Sequence, residues 1–386
     1  HNFTALAGYT NRKYAIEDYF MQNWDFPTDD FTYNNMGAGL ALKRGQAPET
    51  SSQSANKLVG YFFRLNYSYM NKYLLMASIR HEGSSRFGKN HKWGSFPAVS
   101  MGWNLQKEQF LQNVNAISQL KLRAGYGVTG TEPVSSYISL NKLDFNTYTL
   151  VNGTWVQAIN PSNNPNPDLR WERKEEVNVG IDYGFMKDRI SGSIDLYKRT
   201  TRDLIDNFPV PTPPYLYSTI TANAASMENK GVEVQLNVVP VRNENFEWST
   251  TVNFSANKNK VLTLSNSKFA LASGYYDTGN TGEPIQQPTH RVQVGQPIGN
   301  FWGFKSIDVD ETGHWIIEGK DGMPKPIANQ QADDKKIIGN GLPKRYLNWN
   351  NTLTYKNFDF NVTMRGAFGF QILNMTEMFW SAPVML

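Results

Sequence analysis

Cysteine is absent from the 386 residues, and so is any long hydrophobic run. Without cysteine the chain has no disulfide, no thiolate ligand for zinc and no cysteine nucleophile. No stretch approaches the ~20 consecutive apolar residues of a membrane-spanning helix, which excludes helical membrane proteins. A membrane β-barrel is not excluded, because its apolar residues alternate with polar ones and the sequence reads as polar on average.

Concentrated charge and catalytic groupings are absent as well. The formal net charge of +4 is spread along the chain, without the basic stripe that nucleic-acid binding requires. The five histidines are scattered, at His1, His81, His91, His290 and His314. None of them has a second ligand at metal-binding spacing on a clear helix, and no serine lies in a nucleophile elbow. We therefore expect that the chain has no enzymatic activity, no cofactor and no metal site.

One acidic stretch, "DVDETGHW", partly imitates a calcium-binding loop. Asp308, Asp310 and Thr312 occupy the first, third and fifth positions of such a loop, and Gly313 occupies the sixth. The twelfth position should carry a bidentate glutamate, but here it is Gly319. An acidic turn between two strands is the favoured interpretation.

What the chain does have is strict alternation of apolar and polar residues. The stretch "NVGIDYGFMKDRISGSIDLYKRT" runs from Asn178 to Thr200 and alternates on both sides of the segment from Met186 to Arg189. A period of two indicates extended strands, because successive side chains point to opposite faces. Two such runs joined by a tight polar turn are typical of an antiparallel hairpin.

The same alternation recurs and predicts about eleven strands. The apolar sets, taken at every second residue, are Val59–Tyr69, Tyr73–Ile79, Leu122–Val128, Val177–Phe185, Ile190–Leu196, Val232–Val238 and Phe358–Met364. These strands approach the ~9–11 residues that a tilted strand needs to cross a bilayer, against ~5–6 in a typical globular strand. In hydrocarbon only a closed barrel satisfies the backbone groups of every strand. The apolar face is therefore predicted to meet lipid, and the polar face to line a lumen.

Short and long connections alternate between these strands. The short turns are 70–72, 186–189, 240–245 and 356–357, and the long links are about 10–56, 82–93, 129–173, 201–228 and 257–346. Outer-membrane barrels have this asymmetry, with short periplasmic turns and long extracellular loops. We predict an all-β fold, an antiparallel transmembrane β-barrel, in which residues 1–386 form one partial barrel domain and the long links are extracellular.

Aromatic residues gather where the predicted strands meet short turns. They are Tyr67, Tyr69 and Tyr73 at one turn, Tyr183 and Phe185 at another, and Tyr355, Phe358 and Phe360 at a third. Rings with an apolar body and a polar tip suit the headgroup level of a membrane, where barrels carry an aromatic girdle. Cross-strand aromatic pairs occur in any sheet, but the clustering beside short turns favours a girdle.

Several longer blocks resemble one protein family. They include "RHEGSSRFGKNHKWGSFPAVSMGW", "LKLRAGYGVTGTE", "NPDLRWE", "MENKGVEVQLN" and "GQPIGNFWGFK". In this order and combination they resemble the SusC/RagA group of TonB-dependent outer-membrane transporters of Bacteroidetes. The resemblance implies a plugged barrel of about 22 strands. This chain would be its middle and later part, without the plug and the last strands.

The resemblance also implies a function and partners. Members of the group import oligosaccharides, or in some cases peptides, with energy relayed through TonB, and a SusD-like surface lipoprotein covers the extracellular mouth. We expect TonB-dependent import of a nutrient across the outer membrane, a glycan before a peptide, by a wall in contact with outer-membrane lipid. TonB would act through an N-terminal region outside this sequence. The alternatives are a passive porin or surface adhesin on a similar barrel, and a soluble carbohydrate-binding β-sandwich.

Aromatic residues of the long links are the candidates for substrate contact. Flat rings suit stacking on sugar faces, and loops on a rigid scaffold commonly carry binding. The candidates are Trp155, Trp171, Tyr215, Tyr217, Tyr275 and Tyr276. For each, the alternative is that the ring packs the links together or faces a lid protein.

Overall fold

The structure, a computed structural model, describes residues 1–32, 34–133, 135–266, 268, 271, 273–283 and 285–380. Within these residues the chain forms twenty strands and two short α-helices. The strands are β1 (Asn2–Met21), β2 (Glu49–Tyr69), β3 (Tyr73–Ser84), β4 (Trp93–Asn104), β5 (Ile117–Thr131), β6 (Leu143–Val151), β7 (Thr154–Pro161), β8 (Glu172–Phe185), β9 (Ile190–Pro209), β10 (Thr219–Arg242), β11 (Phe246–Thr263), β12 (Tyr275–Thr278), β13 (His290–Gln293), β14 (Asn300–Gly303), β15 (Ser306–Val309), β16 (Trp315–Glu318), β17 (Pro324–Pro326), β18 (Lys336–Asn340), β19 (Arg345–Tyr355) and β20 (Phe358–Phe368). The helices are α1 (Leu40–Lys43) and α2 (Met375–Trp380). Neither helix has the length and hydropathy needed to span a membrane.

Eleven strands form one antiparallel sheet, in the order β1-β2-β3-β4-β5-β8-β9-β10-β11-β19-β20. Each strand pairs with the strands that precede and follow it along the chain, apart from two insertions after β5 and β11 that make separate small sheets. This up-and-down order confirms the predicted antiparallel barrel wall. Within the described residues β1 and β20 do not pair with each other, so the wall is open.

The register places the predicted apolar residues of neighbouring strands side by side on one face. Met101 pairs with Ala124, and Ala124 pairs with Val179. Val179 then pairs with Leu196, and Leu196 with Val232. Because side chains alternate, a slip of one residue between any two strands would carry polar residues onto this face. The alternating sets read from the sequence therefore form one continuous apolar surface.

Aromatic rings border the apolar face at both ends. Near the short turns the Tyr73 ring stacks with those of Tyr69 and Trp103, at centroid distances of 6.3 and 6.2 Å. Near the long links the rings of Tyr61 and Trp93 stack at 6.2 Å. Trp93 and Trp103 are the first and eleventh residues of β4. At a rise of ~3.3 Å per residue and a tilt of ~40° they stand ~25 Å apart along the membrane normal, the height of a barrel's apolar band.

The strands extend further toward the long links than the alternation predicts. β1 and β2 remain paired as far as Met21 and Glu49, and β9 and β10 as far as Pro209 and Thr219. On β1, β2 and β9 the extensions carry polar residues on both faces, without the alternation that contact with lipid imposes. On β10 the apolar face that includes Ile220 and Ala222 is buried against residues of the link after β11. The links that remain are 22–48, 85–92, 132–171, 210–218 and 264–344.

The longer links contain sheets that the sequence pattern did not predict. A hairpin, β6-β7, lies in the link after β5, and a four-stranded sheet, β12-β13-β14-β18, and a three-stranded sheet, β15-β16-β17, lie in the link after β11. The buried side chains collect at this end of the wall. One cluster surrounds Ala222 and Val261, and a second surrounds Phe87 and Leu169.

We expect Val179→Arg to destabilise the membrane-embedded protein by ~2–4 kcal/mol, because Val179 lies near the middle of the lipid-facing band. Arginine at the adjacent Asn178, on the opposite face, is expected to cost much less. Unfolding of the full-length protein in bilayers would measure both variants. Equal losses of stability would contradict the assignment of the two faces.

Candidate functional site

The polar face of the wall carries its charges mainly in paired form. Arg123 on β5 donates from Nε to both carboxylate oxygens of Asp182 on β8, at 3.0 and 2.9 Å. Its Nη2 donates to Asp195 on β9 at 3.0 Å. Gly180 makes room for this cluster, because a Cβ at that position would overlap the Asp195 carboxylate. Glu233 on β10 lies directly opposite Asp195 and has no ion pair among the described residues.

Trp171, one of the predicted substrate contacts, is buried and only 5% exposed. Its ring centroid lies 4.6 Å from that of Phe87 and 5.2 Å from that of Phe96. Its Nε1 donates to the carbonyl oxygen of Lys92 at 3.0 Å. Because protein surrounds the ring, Trp171 braces the links and offers no free face to a sugar.

Two of the family-like blocks, "SSRFGKN" and "NPDLRWE", meet beside this aromatic cluster. The Gly88 amide donates to the Leu169 carbonyl at 3.0 Å, and the Asn90 side chain donates to Asp168 at 2.7 Å. A Cβ at Gly88 would overlap the carbonyl of Pro167. Glycine is therefore required at this position by the close approach of two backbones.

The segment before "DLRWE" is held to β10 through asparagine side chains. It contains three prolines, Pro161, Pro165 and Pro167, which have no amide hydrogen to donate to a ladder. Asn164 Nδ2 donates instead to the carbonyls of Tyr217 and Thr219, at 2.6 and 2.9 Å. Asn166 Nδ2 donates to the Thr221 carbonyl at 2.9 Å. Tyr217 is tied to the same segment, because its hydroxyl donates to the Pro161 carbonyl.

Tyr275 and Tyr276 are engaged within the links. The guanidinium of Arg291 lies between the rings of Tyr275 and Trp302, 3.7 and 3.8 Å from their centroids. The Tyr276 hydroxyl donates to Asp206 at 3.3 Å. Burial, together with that carboxylate, raises the pKa of Tyr276 to about 12.

The other two predicted contacts differ in exposure. Tyr215 is partly buried and packs against the cluster around Ala222, as Tyr276 does. Trp155 lies on the β6-β7 hairpin opposite Leu150, and it is 67% exposed. Of the six predicted rings, that of Trp155 is the most available to a ligand.

A cavity of about 740 Å³ lies where the four-stranded link sheet meets the inner face of the wall. The wall contributes Asn229 from β10, Asn257 and Asn259 from β11, and Tyr346 from β19. The link contributes residues of β14 and β18 with their flanks, including Asn300. Among the described residues the side-chain amides of Asn229 and Asn257 make no hydrogen bond.

Asn300 and Asn340 organise the link side of this cavity. Asn340 Nδ2 donates to the Ile298 carbonyl at 2.9 Å and to Asn300 Oδ1 at 2.8 Å. Asn300 is only 2% exposed, and its Nδ2 has no partner among the described residues. A buried amide donor without a partner costs free energy that a ligand acceptor could recover.

This amide-lined cavity is not among the sites predicted from the sequence. The predicted contacts are aromatic rings in the links, whereas the cavity is built mainly from amides at strand ends and from a link that folds back over them. The available signal was the repeated asparagine in the polar set of β11, at Asn253, Asn257 and Asn259.

The acidic turn around Asp310 is held by its own hydrogen bonds. Oδ1 of Asp310 accepts from the Thr312 amide at 2.9 Å, the Thr312 hydroxyl at 2.6 Å and the His314 amide at 2.9 Å. The turn joins β15 to β16, as the interpretation of an acidic turn predicts. Among the described residues no three histidine or acidic side chains gather as metal ligands would.

An antiparallel meander with an apolar outer face, aromatic borders and a polar inner face is the wall of an outer-membrane β-barrel. The sequence model of the family described as TonB dependent receptor-like, beta-barrel matches residues 1–366. The chain belongs to this family, and its location is the outer membrane.

Individual TonB-dependent receptors are similar to this chain over most of its length. TonB-dependent receptor P3 of Formosa agariphila is 33% identical over 97% of this chain and 38% of its own length. TonB-dependent receptor SusC of Bacteroides thetaiotaomicron is 31% identical over 83% of this chain and 32% of its own length. The resemblance to the SusC/RagA group is thereby confirmed, and the chain spans less than two fifths of these relatives.

A solved structure of the RagAB peptide importer superposes with a TM-score of 0.82 at 22% identity. The superposition covers 95% of this chain and 39% of that one. At this identity the likeness shows the fold alone, and it supports the predicted barrel architecture.

We expect Gly88→Ala to destabilise the links by ~1–3 kcal/mol through overlap with Pro167. Thermal unfolding and limited proteolysis within 85–92 and 132–171 would report the change in the full-length protein. Gly125→Ala is the matched control, because its Cβ would come no closer than 3.7 Å to Ser100. A Gly88→Ala protein with wild-type melting and digestion would disprove the required close approach.

We expect acid to loosen the three-stranded link sheet. Hydrogen bonds from Lys305 and Lys336 lower the pKa of Glu318 from its ordinary 4.5 to about 2. A bond from Lys325 and two backbone amides lower that of Asp334 from 3.8 to about 2. Both folded-state values lie below the ordinary ones, so the stabilisation is present above pH ~4.5 and is lost as the pH falls through about 2.

Hydrogen exchange across 305–336 should therefore rise in that pH window, after correction for intrinsic rates. The amides of the β19-β20 hairpin serve as the internal control. Glu318→Gln with Asp334→Asn should show the loosened exchange already at pH 6. Unchanged protection of 305–336 down to pH 2 would show that these ion pairs do not hold the sheet.

Proposed function

We propose that this chain forms part of the wall of a TonB-dependent importer and that its amide-lined cavity receives an oligosaccharide. The observation that carries the proposal is the position of the cavity. It lies on the inner face of a membrane-embedded wall, beneath a sheet folded from the longest link, and the side-chain amides of Asn229 and Asn257 make no hydrogen bond among the described residues. Such a site meets cargo that enters from the side of the long links.

The chemistry of the cavity favours a neutral, hydroxyl-rich ligand. Amide side chains both donate and accept, as sugar hydroxyls require. Tyr346 and the flanking Ile337, Ile338 and Leu342 supply apolar surface for the carbon faces of a ring. The described lining contains no carboxylate. Of its two lysines, Lys258 belongs by register to the outward set, which leaves Lys344 as the charge nearest a ligand.

Trp155 is a second proposed contact for sugar, because its ring is exposed on a hairpin of the same end of the wall. Tyr215, Tyr217, Tyr275 and Tyr276 are proposed to shape the site through the links that they hold together. Trp171 supports the same links from within.

Energy and gating come from outside these strands. We propose that TonB supplies the energy through a part of the protein outside these strands, and that a SusD-like lipoprotein covers the end with the long links. The described residues contain paired charges and amides rather than a catalytic grouping. The wall binds and guides cargo, and it forms no covalent intermediate.

We expect Asn229→Ala with Asn257→Ala to weaken oligosaccharide binding about thirtyfold, because each lost hydrogen bond contributes ~1 kcal/mol. Calorimetry of the full-length protein with its lipoprotein, against panels of neutral oligosaccharides and peptides, would measure this. Asn178→Ala is the control, because this residue is on the same inner face but on β8. If the wild-type protein binds only peptides, and the double variant weakens that binding, the cavity is the binding site but its cargo is a peptide rather than an oligosaccharide.

Transport itself is tested by uptake in cells with and without TonB. An importer loses accumulation of the bound oligosaccharide when TonB is deleted. Uptake that continues down a gradient without TonB would show a passive porin, and binding without any uptake would show an adhesin.

A further inference from the structure

The outward face of the wall carries lysines in direct cross-strand contact. Lys198 on β9 pairs with Lys230 on β10, and Lys230 pairs with Lys258 on β11. Each belongs to the apolar, outward set of its strand, in continuation of Leu196, Val232 and Ala256. Like charges directly opposite each other destabilise a sheet. Three adjacent strands therefore carry a row of cations that the fold itself does not explain.

One carboxylate, that of Glu228, lies among these lysines, and it pairs with two of them. Glu228 Oε2 lies 2.8 Å from Lys198 Nζ, and its Oε1 lies 4.0 Å from Lys230 Nζ. The residue paired with Glu228 across β11 is Lys260, another lysine. Four lysines and one glutamate leave an excess of three positive charges. Lys258 and Lys260 have no ion pair among the described residues.

The row lies at the border of the apolar band on the side of the long links. Lys230 is twelve residues from the short-turn end of β10 at Arg242, and Lys258 is twelve residues from the start of β11 at Phe246. At ~3.3 Å per residue and a ~40° tilt, both stand ~30 Å from the short-turn border, against ~25 Å for the apolar band. This is headgroup level on the side of the long links. Lys198 is eight residues from the start of β9 at Ile190, ~20 Å by the same measure, and its ammonium group extends toward this level to meet Glu228.

The side chains are free to reach a ligand there. Those of Lys198 and Lys230 are 61% and 58% exposed, and Lys258 and Lys260 are exposed as well. Lysine stems cover apolar surface while the ammonium groups extend to the membrane interface. The four ammonium groups therefore converge on the layer where the phosphates of outer-leaflet lipids lie.

A second pair repeats the pattern elsewhere on the wall. Lys13 on β1 lies opposite Lys57 on β2, on the outward set of both strands. Lys57 is also twelve residues from the short-turn end of its strand, at Tyr69. Outward lysines thus lie at the same height on strands far apart in the wall. This indicates that they share one environment at the membrane surface, rather than a local packing effect.

We propose that the row Lys198, Lys230, Lys258 and Lys260 binds the phosphate groups of an anionic glycolipid in the outer leaflet. The acyl chains of that lipid would lie on the adjoining apolar face, around Leu196 and Val232. The phosphates would supply the counter-charge that the fold lacks, since charge-assisted contacts from lysine to phosphate are strong. This inference concerns the outer surface and is independent of the cargo site on the inner face.

The test uses full-length protein in nanodiscs of phosphatidylethanolamine with either diphosphoryl lipid A or its dephosphorylated form. Lipid retained after detergent extraction is counted by native mass spectrometry. The test variant is Lys230→Gln with Lys258→Gln, and Lys258→Gln alone is a milder form. Lys187→Gln with Lys356→Gln removes the same charge from two short turns and is the matched control.

We expect the double variant to retain diphosphoryl lipid A about thirtyfold less tightly, and the single variant about fivefold, at ~1 kcal/mol per lysine near the membrane surface. The control variant should retain it as wild type does, and the dephosphorylated lipid should bind all proteins alike. Heat-modified mobility on gels confirms that each barrel is folded.

Three results would overturn the proposal. The first is equal retention of diphosphoryl lipid A by the test and control variants. The second is wild-type binding that does not distinguish the phosphorylated from the dephosphorylated lipid. The third is displacement of the lipid by millimolar inorganic phosphate, which would show a site for the free anion rather than for a lipid.

Discussion

A peptide group in hydrocarbon has no water to bond with, and this constraint shapes most of the chain. Every N–H and C=O in the membrane must be paired by a neighbouring strand, so the wall is a continuous antiparallel ladder with only local bulges. Once the ladder is complete, the outward side chains need only be apolar. The two edges, β1 and β20, carry backbone groups that hydrocarbon would not tolerate unpaired. In a closed barrel both edges are paired by neighbouring strands.

Beyond the membrane this constraint disappears, and side-chain hydrogen bonds and close packing hold the chain together in place of a continuous ladder. Water can satisfy backbone groups there, so prolines enter the segment from 161 to 167 and asparagine side chains take over the hydrogen bonds to β10. Close packing then depends on single residues, such as Gly88 against Pro167 and Trp171 between Phe87 and Phe96. The links are therefore packed around buried hydrophobic clusters, as a small globular protein is. The wall to which they are joined is a single sheet without a hydrophobic core of its own.

This division explains what could be predicted from the sequence. The strands of the membrane band were predictable because lipid contact imposes alternation residue by residue, and Val179 or Leu196 reveals its face through its immediate neighbours. The continuation toward Met21 was not, because polar residues occupy both faces of the strands there and the alternation fades. The continuation toward Thr219 was not, because its apolar residues, such as Ala222, pack against the links rather than lipid. The cavity was beyond reach for another reason. Asn300 and Asn257 are separated by more than forty residues, and only the folding of the link brings them together.

In the short run Asn257, Lys258, Asn259, the pairing register of β11 decides which side chains face the cavity and which face the lipid. The two asparagines line the inner cavity, while the lysine between them joins the outward row at headgroup level. A slip of one residue between β10 and β11 would exchange them, placing the ammonium against the cargo and the amides against lipid. Irregularities in the pairing occur at Ser226/Met227 and at Val238/Val241, and they bracket an uninterrupted ladder between them. The regular ladder from Met227 to Val238 therefore holds both surfaces in place at once, and neither could shift without the other.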